Sequence, residues 1–190
     1  MRVSSNDVAA SMAPRGGYEG AYVAHLWEHP NLCLALFGVQ FHTPLGQHRY
    51  ESSGISDEMY EALGAAQKSG LLLHNRMLTT EEGPVLMQYW RSYEDLDGWA
   101  LRQPHMRWWK WLLENSGPEL SFYHEIYQVK AAEAIFETGC RPVGPALFST
   151  TSGVTPGEGG SKDRQARFSE AQDVAPASSG AGTYPRAEAS

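Results

Sequence analysis

The chain is short of cysteine and of basic residues, and it has no long apolar run. Cys33 and Cys140 are its two cysteines, 107 positions apart. They lack the paired spacing of a zinc site and are too few for a secreted disulfide scaffold, so a reducing compartment, the cytoplasm, is expected. Lys and Arg number 15 against 22 Asp and Glu, for a formal charge of −7. Phosphate backbones are gripped by clustered cations, and the one close basic pair near aromatics is Arg107 and Lys110. Nucleic acid is therefore not an expected partner. The longest apolar stretch, Leu32 to Val39, is eight residues, against about 18 to 20 for a membrane span. His25, Glu28, His29 and Pro30 precede it, whereas a signal peptide opens with a basic segment. There is also no glycine-rich phosphate loop, no His-x-Glu or Cys-x-x-Cys pattern and no nucleophile elbow, so neither a nucleotide cofactor nor a metal site is expected.

What the chain does have is 190 residues, 42% of them hydrophobic, with six tryptophans, enough for one modest core. Three regions are expected. Residues 1–30 form a partly ordered N-terminal extension, 31–151 form the folded domain, and 152–190, rich in Gly, Ser and Pro without apolar periodicity, read as a disordered tail.

Within the folded part, Leu32 to His42 is nearly continuously apolar and predicts a strand buried on both faces. Pro44 to Gly54 reads as a loop. Ser56 as N-cap, acidic Asp57 and Glu58 in the first turn and Gly70 beyond the last predict a helix over about 14 residues. Leu71–Leu78 and Val85–Arg91 predict a hairpin around Glu81-Glu82-Gly83-Pro84. Ser92 with Asp95 resembles a capping box and begins a second helical region, interrupted at Pro104 and resumed to Leu113. Leu120 to Lys130 predicts the fourth strand, which Ala134 to Phe136 either continues or follows as a short extension. The order is β-α-β-β-α-β, the ferredoxin-like α+β pattern of an antiparallel sheet with two helices on one face. Strand residues alternate faces, yet the first and third strands are apolar at odd and even positions alike, so the second face also needs a cover. A twin sheet in a two-fold homodimer is the leading candidate, and the N-terminal aromatics around Tyr22 and Trp27 are the competing one.

Three segments carry a resemblance: Leu86-Met87-Gln88-Tyr89-Trp90-Arg91-Ser92, then His105 with Trp109 four residues later, then Tyr123-His124-Glu125-Ile126-Tyr127. Over roughly residues 34–149 the chain resembles monooxygenase-like proteins of the dimeric α+β barrel superfamily, which also contains antibiotic-biosynthesis monooxygenases, haem-degrading monooxygenases and aldoxime dehydratases. The resemblance implies a dimeric α+β barrel, O2 as co-substrate and an oxidoreductase activity.

Candidate site residues follow from residue chemistry. His105 shares a helix face with Trp108 and Trp109, and a neutral imidazole there can act as a general base or ligate a haem iron. His124 and Glu125 are the other acid–base candidates, but as strand neighbours they point to opposite faces, so at most one can serve a given pocket. Trp90, Trp108, Trp109, Tyr89 and His42 are candidate substrate-binding residues. The functional expectation is a monooxygenase-like enzyme for a hydrophobic aromatic, polyketide or terpenoid secondary metabolite, with no cofactor, or with haem on His105. The alternatives are a haem-dependent lyase like the aldoxime dehydratases, or a non-catalytic binding or cyclisation-assisting protein.

Overall fold

The computed structural model describes residues 17–154 and 159–175. In chain order they form β1 (Tyr22–Ala24), β2 (Cys33–Phe41), α1 (Pro44–Ser52), α2 (Ile55–Lys68), β3 (Leu72–Thr79), β4 (Pro84–Trp90), α3 (Tyr93–Ala100), α4 (His105–Asn115), β5 (Leu120–Gln128), β6 (Ile135–Phe136), β7 (Thr151–Gly153) and α5 (Ser161–Val174). The fold is α+β. The main sheet has the order β3-β4-β2-β5, antiparallel throughout. That is the arrangement expected of the split β-α-β-β-α-β pattern.

Register decides which residues share a face. Cys33 pairs with Trp90 and Gln128, Ala35 with Gln88 and Ile126, and Phe37 with Leu86 and His124. The odd-numbered residues of β2 therefore meet the helices, where Cys33, Ala35, Leu86 and Trp90 pack against Leu63 and Ala66 of α2 and Leu96 of α3. Burying each large aliphatic side chain of this kind contributes about 1.5–3 kcal/mol. Toward the other end Val39 packs with Tyr50 of α1 and Leu112 of α4.

Helix boundaries follow local chemistry. Ser92 accepts from the Asp95 backbone N–H at 3.1 Å, so the expected cap starts α3. Gly70 takes φ +78° just beyond α2, as a left-handed helix end requires. Two expectations need correcting here. The segment Pro44–Gly54, read as a loop, contains α1: Thr43 caps it by accepting from the Gly46 N–H, and Pro44 occupies the first turn, where its missing N–H costs nothing. Gly46 serves close approach rather than a turn, since a Cβ there would sit 2.1 Å from the Glu119 carbonyl oxygen. Helix α2 begins at Ile55 after Gly54 at φ +73°, rather than at a Ser56 cap.

Beyond the main sheet, β6 does not continue β5. It pairs with β1, which also pairs with β7, in a small sheet of order β6-β1-β7. His25 Nε2 and Ser152 Oγ, 2.7 Å apart, fasten the N-terminal segment to β7. The disordered tail expected from Ser152 is likewise corrected over β7 and α5. Phe168 is completely buried, and Gln172 Nε2 donates to the carbonyls of Pro30 and Val129. One aromatic on a polar helix leaves no periodicity to read, yet it suffices to dock the helix. Residues 1–16, 155–158 and 176–190, for which looseness was expected, lie outside the described residues.

These additions partly resolve the problem of the second sheet face. Leu26, Leu32, Phe148 and Phe168 pack onto Leu34, Leu73, Met87 and Tyr89, so segments flanking the main sheet in sequence cover one end of it. The β5 side stays more open, with Tyr127 50% exposed.

Candidate active site

A cavity of about 490 Å³ lies between the helix-facing side of the sheet and helices α3 and α4. Its size and apolar lining suit a drug-sized hydrophobic ligand. A second hollow, beside Tyr50 and Met59, has a volume of only about 20 Å³, room for roughly one water.

Helix α4 supplies one wall. His105, Trp108, Trp109 and Leu112 recur at helical spacing, and Trp108 and Leu112 are buried. The His105 ring lies 5.0 Å from Trp99, 6.0 Å from Trp108 and 6.4 Å from Trp109, stacked on the last at 18°. Its Nδ1 is 2.8 Å from the carbonyl oxygen of Ala100, at the end of α3. A carbonyl only accepts, so Nδ1 carries the proton, and in the neutral ring Nε2 keeps its lone pair. Burial lowers the His105 pKa, the bond to Ala100 partly offsets this, and nearby His124 lowers it further. The ring is therefore neutral at pH 7.

His124 reaches the same cavity from β5 and stands at its open rim, 6.2 Å from the Trp109 ring. It is solvent-accessible on one side, and desolvation on the other lowers its pKa. Trp108 is locked by its indole N–H, which donates to Glu58 at 2.9 Å. Arg107 bonds the same carboxylate. The Trp108 bond and then the Arg107 bond hold the Glu58 pKa below its usual range.

Of the eight expected site residues, the structure brings together His105, His124, Trp108 and Trp109. Four stand elsewhere. Trp90 is in the core, its indole N–H donating to Gln88 Oε1 at 2.8 Å. Tyr89 points to the opposite sheet face, 5.2 Å from Phe148. Glu125 shares that opposite face and accepts from the Tyr127 hydroxyl at 2.7 Å. His42 is exposed beyond the sheet end, with Nε2 2.9 Å from Ser121 Oγ. Strand alternation separates Tyr89 and Glu125 from the cavity, and it could have been applied to Tyr89 as it was to Glu125. Trp99 and Gln88 also line the cavity, and Gln88 was not among the expected site residues. Gln88 was findable as an amide on the inward side of an apolar strand.

His105 has the oriented imidazole that an axial haem position requires. The rest of the wall does not fit that group: among the described residues no Lys or Arg lines the cavity to receive two propionates, and Asp97 places a carboxyl side chain there. Among the described residues, no cluster of three or more His, Cys, Asp or Glu could hold a metal ion, and no helix is long and apolar enough to cross a membrane.

No curated protein matches the chain significantly. Among solved structures, an aldoxime dehydratase aligns with a TM-score of 0.51 at 18% identity, covering 84% of this chain and 47% of its own. The chain thus spans about half the length of that enzyme, and the likeness is one of fold. A conserved protein from Methanosarcina mazei Go1 aligns with a TM-score of 0.40 at 12% identity over 54% of this chain and 98% of its own. A Bacteroides thetaiotaomicron protein described as a possible oxidoreductase has the same score at 8% identity, over 53% of this chain and 99% of its own. The model of one protein family, described as Monooxygenase af470-like, matches residues 32–144, more than half of the sequence and the whole of the main sheet with its four helices. This chain belongs to the Monooxygenase af470-like family.

Proposed function

We propose that this protein is a cofactor-independent oxygenase for a hydrophobic, aromatic or polyketide-like secondary metabolite. The observation that carries the reading is the His105 imidazole, held in one tautomer by Ala100 with Nε2 unprotonated, on the wall of a tryptophan-lined cavity. Nε2 removes a proton from a substrate methylene made acidic by its neighbours, and the electron pair stays on the substrate. The carbanion passes one electron to O2, and the two radicals combine and take back a proton as a hydroperoxide. Loss of water then leaves a ketone, so one O2 converts CH2 into C=O and H2O. Trp99, Trp108 and Trp109 keep water from the carbanion. His124, at the rim, exchanges protons with solvent.

Two further features belong to this reading. The protein pairs with a second copy through the open β5 side of the sheet face opposite the helices, where Tyr127 stands exposed. It works in the cytoplasm, where Cys33 and Cys140 stay unpaired.

The test is oxygen uptake by the purified protein against a panel of anthrones and related acidic-methylene ketones. Turnover by colourless protein supports the reading. A Soret band lost in His105→Ala would replace it with a haem enzyme of the aldoxime dehydratase kind. Tryptophan quenching by these ligands without oxygen uptake would replace it with a binding protein.

A further inference from the structure

The floor of the cavity carries a buried amide that the reaction scheme above does not use. Gln88 is 6% exposed and lines the cavity from β4. An indole N–H only donates, so the atom that meets Trp90 Nε1 at 2.8 Å is the amide oxygen, and this fixes which way round the amide lies. Its Nε2, with two N–H donors, has no partner among the described residues. With its oxygen engaged by Trp90, the nitrogen faces the cavity, and its donors are free to meet an acceptor that a ligand supplies.

Position says which acceptor. On the sheet floor Gln88 faces Ile126 across Ala35, and His124 lies one inward-facing position further along β5. Two ladder spacings put β4 and β5 about 10 Å apart, enough to seat a ring. His105 reaches the same space from α4. A hydrogen-bond donor pair and a proton acceptor therefore line one apolar slot. That arrangement recognises a carbonyl oxygen next to an acidic C–H.

We propose that Gln88 binds the carbonyl oxygen of a hydrophobic, enolisable ketone, presenting its adjacent C–H to His105. When that proton moves to Nε2, the electron pair shifts onto the carbonyl oxygen, and the Gln88 donors hold the enolate more tightly than the ketone. Trp90 acts as a positioning residue: it anchors the amide oxygen so that the nitrogen turns inward. This inference rests on the base role proposed for His105 and narrows its substrates to ketones.

The test uses α-tetralone and tetralin, matched in shape and differing in the carbonyl. Binding is followed by tryptophan quenching, and the C=O stretch of bound α-tetralone by infrared difference spectroscopy. Gln88→Glu keeps an acceptor for Trp90 but removes the donors, and Gln88→Met removes both. Circular dichroism confirms that each variant folds. The expected result is a ketone-over-hydrocarbon affinity ratio about tenfold lower in both variants than in the native protein. The C=O stretch should sit at lower frequency in the native protein than in either variant. If both ligands bind but the ratio changes less than twofold and the stretch is unmoved, Gln88 is not the carbonyl site, although the cavity reading stands. If neither ligand binds the native protein, the cavity reading fails and this inference with it.

Discussion

Replacing His105 with alanine separates its chemical role from its structural one, because the two losses differ in size. A positioned general base contributes about 10²–10⁴ in rate, or about 2.7–5.5 kcal/mol of barrier at about 1.36 kcal/mol per decade. The structural loss is the 2.8 Å bond to Ala100 and the ring contacts with Trp99 and Trp109. A neutral hydrogen bond of this kind contributes about 1 kcal/mol net, and the freed carbonyl can be rehydrated through the cavity. Melting should therefore shift by only about 2–4 °C, while ketone-dependent oxygen uptake falls at least a hundredfold. The pH profile adds a second signature. Activity needs the neutral ring, and the His105 pKa lies below its ordinary 6.5, so the native rate should be flat above pH 7 and decline only as acid protonates Nε2. Free imidazole should restore part of the variant's rate, with the acid limb moved up toward imidazole's own pKa. A variant that keeps more than one-third of native uptake at pH 7 would refute the assignment of His105 as the base.

Burial lowers the pKa values of His29, His74, His105 and His124 alike. Each binds its proton more readily unfolded, so stability should hold above about pH 6.5 and fall below it as the unfolded chain gains protons first. Urea midpoints that are higher at pH 5 than at pH 7.5 would contradict this. Gly38→Ala places a Cβ 2.2 Å from the Tyr123 ring, which should cost about 1–3 kcal/mol in chemical denaturation unless Tyr123 swings away. Phe168→Ala should cost about 3–5 kcal/mol where α5 docks, seen as faster proteolysis between β7 and α5 while the main-sheet amides keep their hydrogen-exchange protection. Analytical ultracentrifugation should find a dimer, and Tyr127→Lys should shift it toward monomer.

The sequence and the structure agree where a local signal is strong. The Ser92 cap, the glycine after α2, the hairpin around Gly83 and the apolar strands are each written within a few residues, and together they specify the strand order. The α4 stripe placed His105 among tryptophans for the same reason. What was not legible depends on distant partners. Pro44 and Gly46 look like loop formers until Thr43 caps a helix and Glu119 presses against its glycine. Phe168 is a lone aromatic whose importance comes from a groove built by residues scattered along the chain, from Leu26 and Leu32 to Tyr89 and Phe148. Trp90 and Tyr89, adjacent in a motif, were grouped as one aromatic lining, although a strand sends them to opposite sides. Strand alternation alone puts the Gln88 amide on the inward side, whereas the way round it lies depends on a bond to Trp90 that spacing does not announce.

The hydrogen bond from His105 to Ala100 bridges the joint between two helices, since its donor opens α4 and its acceptor closes α3. Ring orientation and interhelical angle are thereby coupled. Where Nε2 points is thus set by how the two helices meet, so a change at that joint is also a change in the aim of the ring.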